Sequence, residues 1–338
     1  MSISLDAEVV VLGGGTGTPK LINEIADRFT SSVPTVIANT GDDVEFGDLF
    51  VTPDVDSCLF AAAGILDTER WWGIEDDTEQ TADALRELAD SLGLNHEPNY
   101  RPTTHQTEGR PIAAWRRFEA IPEFMTFGDR DRAIHRLRTT LLDRGHSLTT
   151  VTQRIGDALG AELPILPMSD DPVATLVHTD DGSMHFQEFW VARRGTPTVE
   201  EVEFRGSTAA TATDAVIQAL DADVAVIGPS NPVTSLGPIL AVDGIVDHLK
   251  EMTVIAVSPF IGARAFSGPA ADLMEAVELP VGTPGLTVAY PFADAIVTDV
   301  TDTTDLGLPT VQTDLRIETP DDAERVWHGV IQALEEVS

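Results

Sequence analysis

Cysteine is all but missing from this chain. Cys58 stands alone, so neither an internal disulfide nor a metal cluster of thiolates can form. Lysine is nearly as scarce: Lys20 and Lys250 are the two in the sequence, and the other basic residues are arginines. Long apolar runs are missing too. None approaches the roughly 18 residues that cross a bilayer. Met1-Ser-Ile-Ser-Leu-Asp6 has no basic stretch ahead of an apolar one, so neither a membrane span nor an export signal is expected. These absences lead us to expect a cytoplasmic chain in reducing surroundings. Positive charge is the last shortage. Against 56 acidic residues there are 21 basic ones, a formal net charge of −35, which repels nucleic acid and excludes it as a partner. The carboxylates are spread along the whole length, which suits a protein adapted to high salt, where self-repulsion is screened over short distances.

Of the 338 residues, 42% are hydrophobic, enough for a sizeable core. Strand and helix patterns alternate, which predicts the α/β class: a Rossmann-like, doubly wound, mostly parallel sheet with helices on both faces. Glu8–Leu12, Thr35–Ala38, Asp223–Ile227 and Thr253–Val257 read as buried strands. Thr175–His178 and Met184–Trp190, on either side of Asp180-Asp-Gly182, read as a hairpin. Helical spacing over Thr78–Leu92, Arg132–Leu142 and Ser147–Leu159 predicts a mainly helical insert at 76–164. The α/β nucleotide-binding core is then 1–75 with 165–338, and the insert contributes to the acceptor site. Asn95–Pro111, polar and with three prolines, reads as a surface excursion.

In such a sheet, ligands bind beyond the carboxyl ends of the strands. Gly13-Gly-Gly-Thr-Gly17 is the first loop there, and Gly14, Gly15, Thr16 and Gly17 would turn backbone N–H groups toward a phosphate. It is not a Walker loop, because Lys20 lies between Pro19 and Leu21. Nor is it the dinucleotide fingerprint: Thr18 stands where a third small residue belongs, and the second strand ends in Asn39-Thr40 without an acidic residue. Hydride transfer with NAD(P) is therefore a weak alternative. Lys20, kept beside the loop by a chain that has nearly abandoned lysine, suits a diphosphate as a point charge. Asn39 joins it, and Ser230, Asn231 and Thr234 in the loop Gly228–Pro238 add neutral donors and acceptors. Ser258–Gly262, with Arg264 and Ser267-Gly-Pro269, holds the same place on the next strand, so the two loops should wall a crevice.

Four carboxylates, in Thr40-Gly-Asp-Asp43 and Thr52-Pro-Asp-Val-Asp56, crowd this phosphate loop, which calls for a divalent cation. Magnesium takes one or two carboxylates together with phosphate oxygens. Asp43 and Asp54 are the expected ligands. Asp54 and Asp56 are the expected catalytic pair, with Asp56 near an acceptor hydroxyl that must lose its proton. Helix capping is the other reading of Asp54 and Asp56. Leu166-Pro-Met-Ser-Asp-Asp171 is a turn or a substrate contact. Arg130 and Arg132, in Gly128-Asp-Arg-Asp-Arg132, open a helix against its dipole. They either pair with Asp129 and Asp131 or grip an anionic ligand. His135 and His185 lack a metal-binding spacing and read as structural, as does Cys58 in its apolar surroundings.

Taken together, Gly13-Gly-Gly-Thr-Gly-Thr-Pro-Lys20, Pro53-Asp-Val-Asp56, Trp71-Trp-Gly73, Gly128-Asp-Arg-Asp-Arg132 and Leu166–Asp171 resemble the 2-phospho-L-lactate transferases of coenzyme F-420 biosynthesis. So do Met184–Trp190, Gly228-Pro-Ser-Asn-Pro232 and Ser267-Gly-Pro-Ala270. The likeness runs from the first strand to about Tyr290, and the acidic composition suggests a halophilic archaeal source. Asn95–Pro111 stands out as an insertion, and Thr40-Gly-Asp-Asp43 departs from the more usual Thr-Ala-Asp/Glu-Asp; both leave the expected ligands in place. The resemblance implies a magnesium-dependent reaction. Lactyl-2-diphospho-5′-guanosine, or its phosphoenolpyruvate-derived analogue, would give its phosphoacyl group to the ribityl hydroxyl of the deazaflavin Fo and release GMP. Asp54, Asp56, Arg130 and Arg132 would meet Fo, and a homodimer is expected. A related family opens with a similar Gly-rich strand-loop-helix but binds nucleotide sugars as a regulator without catalysis; Pro53–Asp56 and Gly128–Arg132 favour the transferase.

Overall fold

Short runs of valine, isoleucine and alanine, too brief for buried helices, become the strands of one parallel sheet. The computed structural model describes residues 3–94, 98–100, 114–121, 123–261, 264–265 and 268–338. Its main strands are β1 (Val9–Gly13), β2 (Thr35–Ala38), β3 (Ile165–Pro167), β4 (Val224–Ile227), β5 (Thr253–Val257), β6 (Ala295–Asp299) and β7 (Thr310–Thr313). They lie in the order β7-β6-β5-β4-β1-β2-β3, each pair parallel. Near-continuous burial of these strands is what a sheet covered on both faces requires. Alternate residues feed two cores: Val9 and Val11 enter one, Val10 and Leu12 the other. The Rossmann-like α/β class expected from the alternation is the one observed.

On the first face lie α1 (Gly17–Ile22), α2 (Pro53–Ala62) and the C-terminal helix Pro320–Val337. Trp327 of that last helix is fully buried, its ring meets Phe29 edge-on at 5.1 Å, and its Nε1–H donates to the Leu21 carbonyl at 3.0 Å. The end of the chain is thereby pinned to the helix that follows the first strand.

Between β2 and β3 lie α2, a small three-stranded sheet, α3 (Gln80–Leu92), α4 (Asp129–Asp143) and α5 (Leu148–Leu159). Helices α3 and α4 cap each other. The Asp129 carboxylate accepts from the Thr78 hydroxyl and the Gln80 and Thr81 amides, while the Asp77 carboxylate accepts from the Arg130 and Asp131 amides. A carboxylate at the start of α4 offsets the arginines that oppose its dipole. Leu166 and Pro167 end β3, and Ser169–Asp171 turn after it: Asp171 N–H bonds Ser169 Oγ at 3.0 Å, and Asp170 accepts from the Thr149 amide of α5 at 2.7 Å.

Met184–Trp190 is not one strand. The hairpin strand Gly182–His185 stops at His185, where the Gln187 amide bonds His185 Nδ1 at 3.1 Å, and the chain enters a π-helical turn, Glu188–Ala192. Phe186 and Phe189 then both reach the second core, a spacing of three that an alternating strand cannot provide. The hydroxyl of Tyr100 holds this corner, accepting from His185 N–H and donating to Glu188, each at 2.9 Å. Residues 95–97 and 101–111 of the expected surface excursion fall outside the described residues, as do Gly262 and Ser267.

Trp327→Ala should lower the unfolding free energy by about 3–5 kcal/mol, the usual cost of emptying a large aromatic site. Denaturant titration at fixed salt checks this; a loss under about 1 kcal/mol would show that the terminal helix is not pinned as described.

Candidate active site

Strand order reverses between β1 and β4, so the loops that leave them turn toward opposite faces and open a crevice. It has a volume of about 280 Å³. The backbone of Gly15–Gly17 faces Ser230, Asn231 and Thr234 across one end. Asp42, Asp54 and Asp56 line its acidic side, and Trp72, Phe127, Phe186 and Trp190 give it aromatic walls.

The two loops touch closely enough to exclude side chains. A Cβ at Gly17 would sit 1.8 Å from the Pro229 carbonyl oxygen, and one at Gly14 would sit 2.1 Å from Asp54 Oδ2. Ser230 clasps them: its hydroxyl donates to the Gly14 carbonyl at 2.6 Å and accepts from Thr18 Oγ1 and N at 2.8 and 3.2 Å. Asn231 closes its own turn by accepting from the Val233 and Thr234 amides. Asn39 links the two loops to α2, because its Nδ2 donates to Asp54 Oδ2 at 2.9 Å and to the Thr234 carbonyl at 3.1 Å. At the start of α2 the Thr52 side chain makes no cap, while Asp56 Oδ2 accepts from the Thr52 amide at 3.4 Å.

Asp42, Asp43 and Asp54 are all buried. Gln187 donates to Asp42 Oδ2 at 3.0 Å, but Asp42 Oδ1 and both oxygens of Asp43 have no hydrogen-bond partner among the described residues. Burial pushes Asp42 well above the usual carboxylate range, helped by the charge of Asp54 and opposed by Gln187. Burial likewise pushes up Asp43, against Arg116 and Arg138. Asp54 rises to about 6 through burial, with the Asn39 and Gly15 hydrogen bonds opposing it.

Asp56 is held differently. The guanidinium of Arg138, fully buried, grips both its oxygens, Nη1 to Oδ2 at 3.1 Å and Nη2 to Oδ1. Arg138 Nη1 also lies 3.3 Å from the Phe50 carbonyl and 3.1 Å from His135 Nδ1. His135 Nε2 lies 3.1 Å from Asp131 Oδ1. Asp56, Asp131 and His135 each offer a ligand atom, all within 4.8 Å of one another, so together they form a possible metal-holding group. His135, read as structural from its spacing, lines the crevice. Sequence spacing between histidines missed it because its partner four residues earlier is an aspartate and the third member sits on another helix. The readable signal was Asp131, His135 and Arg138, a polar stripe at i, i+4, i+7 on one face of α4. His185 is buried behind the crevice and held far down, to about 3, by burial and Arg116, and Cys58 lies in the core.

Gly14, Asn39 and Asp43 stand just behind the lining, and three expected ligand side chains are engaged elsewhere. Lys20 is not on the crevice lining; its ammonium lies over Trp71, 5.1 Å from the ring centroid. Arg132 forms a two-pronged pair with Glu123, at 3.0 and 2.6 Å, and not with Asp129 or Asp131. The amide of Arg130 bonds Asp77, and its guanidinium reaches the Glu75 carbonyl at 3.5 Å. From that motif Asp131, not either arginine, reaches the crevice, since a single step along a helix turns a side chain to a different face.

The family model described as 2-phospho-L-lactate transferase CofD matches residues 9–331. The chain is 57% identical over 330 residues to the 2-phospho-L-lactate transferase of Haloarcula marismortui, covering 98% of this chain and 100% of the relative. It is 53% identical to that of Halobacterium salinarum, covering 96% of each, so a halophilic archaeal source fits. It is 39% identical to that of Methanosarcina acetivorans over 88% of this chain and 87% of the relative. A crystal structure of a UPF0052 family member from Bacillus halodurans shares the fold, with a TM-score of 0.58, 17% identity, and 96% of this chain and 99% of that one covered.

A raised folded pKa gives a stability prediction. Between 3.8 and about 6 the native Asp54 holds more proton than the unfolded one, so its contribution falls as pH rises through that window and stays low above it. Asp54→Asn should therefore be more stable than the parent at pH 8 without added cation, by on the order of 1–3 kcal/mol, with the gap closing near pH 4. Denaturant midpoints at both pH values decide it; equal stability at pH 8 contradicts the assignment.

Proposed function

From the premise that this chain belongs to the 2-phospho-L-lactate transferase CofD family, and is a transferase enzyme, we propose the reaction that its crevice carries out. It transfers a 2-phospholactyl, or enolpyruvyl phosphate, group from a guanosine diphosphate-linked donor to the ribityl hydroxyl of the deazaflavin Fo, releasing GMP. The observation that supports this best is the meeting of a glycine loop, buried carboxylates with unpartnered oxygens and aromatic walls in one crevice at the switch point.

The diphosphate lies against the amides of Gly15–Gly17, with Asn231 and Thr234 opposite and Ser230 keeping the loops closed around it. The flat deazaflavin fits against Trp72 and Trp190, which line the crevice and stay 43% and 40% exposed, Trp72 with Arg70 over its ring. Magnesium fits the acidic side, because hard oxygen donors suit it and Asp42 and Asp43 carry buried oxygens with no other partner. Asp43 and Asp54, with Asp42, would hold the ion, which when bound neutralises charge on the transferring phosphoryl group. Arg138 already fills the cation's place between Asp56 and His135, which favours the Asp42–Asp43–Asp54 side. A cytoplasmic homodimer belongs to the same reading, and sedimentation at high salt reads its mass.

Purified chain given either guanosine diphosphate donor, Fo and magnesium should yield GMP and a more anionic deazaflavin in equal amounts. Excess chelator should stop it, and Asp54→Asn should abolish turnover at ordinary magnesium, with partial return on adding more metal. Full turnover in chelator, or wild-type turnover of folded Asp54→Asn, contradicts the proposal.

A further inference from the structure

Buried polar atoms in folded proteins nearly always find a partner. Besides Asp42 Oδ1, two on the crevice wall do not. His135 Nε2 and Asp131 Oδ1 lie 3.1 Å apart but off the line of a hydrogen bond, and neither has another partner among the described residues. Their residues are 1% and 7% exposed, and both line the crevice.

Arg138 decides what these two atoms can do. A guanidinium only donates, so its contact with His135 Nδ1 requires a lone pair there and puts the imidazole hydrogen on Nε2. The ring of Phe127, edge-on at 5.0 Å, keeps the imidazole in that orientation. The wall therefore carries one donor, Nε2–H, beside one acceptor, Oδ1. A single hydroxyl satisfies both, by giving its proton to Asp131 and accepting from His135. Of the other carboxylates on the lining, Asp56 is gripped by Arg138, and Asp54 and Asp42 form the side assigned to the cation, bonded to Asn39 and to Gln187.

We propose that Asp131 and His135 receive the acceptor's reactive hydroxyl, with Asp131 in place of Asp56 as the group that takes its proton. This rests on the reading that the acceptor brings a polyol chain into the crevice. In the transfer, the acceptor O–H bond breaks and its proton passes to Asp131 as the oxygen forms its bond to phosphorus. The bond from phosphorus to the nucleotide phosphate oxygen breaks, its electron pair leaves on GMP, and Asp131 returns the proton to solvent. His135 is a positioning residue, holding the attacking oxygen through Nε2–H, and Arg138 sets its tautomer.

The experiment is steady-state kinetics with Fo on Asp131→Asn, His135→Gln and His135→Phe, with GDP binding by calorimetry on each to establish a folded donor site. Asp131→Asn should lose about 100-fold or more in kcat. His135→Phe should raise the KM for Fo about 10-fold, while His135→Gln, whose amide keeps a donor near Nε2, should stay within about threefold of the parent. Parent-like kcat in folded Asp131→Asn, or equal KM values in the two His135 variants, overturns the inference. If Asp131→Asn fails to bind GDP, the two His135 variants decide. Should the unaltered chain fail to turn over Fo, the proposed function falls. The hydroxyl pair is then judged by riboflavin, which carries a ribityl chain. Binding at least about 10-fold weaker in His135→Phe than in the parent supports the pair, and equal or undetectable binding in both overturns it.

Discussion

Charge cannot be buried without a partner, and the crevice wall buries four carboxylates, Asp42, Asp54, Asp56 and Asp131, with Asp43 buried beside them. The structure divides them. Asp56 is neutralised within the protein by Arg138, which is itself fully buried and would be uncompensated without it. Among the described residues, no such cation forms an ion pair with Asp42, Asp43 or Asp54. Arg116 and Arg138 act on Asp43 only through their charge, and burial still lifts its proton affinity. The closely packed loops around them, with Ser230 and Asn39 as clasps, keep these acids from turning outward. A site so built asks for positive charge from outside the chain.

Much of this could be read from the sequence where physics acts locally. Short aliphatic runs ending in glycine loops give buried parallel strands and ligand loops, and both were found in register. Gly14–Gly17, Asn39, Asp54, Asp56, Ser230, Asn231 and Thr234 were drawn together because they follow strand ends. What stayed hidden depends on which way a side chain points. Lys20 is close to the glycine loop in sequence, yet its helix turns it onto Trp71. Arg130 and Arg132 share a helix with Asp131, but only the aspartate faces the crevice. Met184–Trp190 looked extended because its apolar residues fit a period of two about as well as a helical spacing, and the π-helical turn settles the matter through burial of Phe186 and Phe189.

The acidic composition and the acidic crevice are separate matters. Most carboxylates are spread along the chain and screened by salt, whereas the crevice acids are dry and respond to salt far less. High salt therefore leaves the demand for a specific cation in place. It also explains why so few lysines survive without loss of the site: none of the residues that line it is a lysine.

The most direct test is calorimetric titration of magnesium into the ligand-free chain, at fixed salt, in two buffers of different ionisation enthalpy. Binding to carboxylates whose proton affinity is raised must release protons. Release should be clear near pH 6, where Asp54 is half protonated, and Asp54's share should be gone by pH 8. Asp43→Asn and Asp54→Asn should each weaken binding, and His135→Gln should leave it unchanged. Magnesium binding that ignores Asp43 and Asp54, or binds without releasing protons near pH 6, would contradict the account.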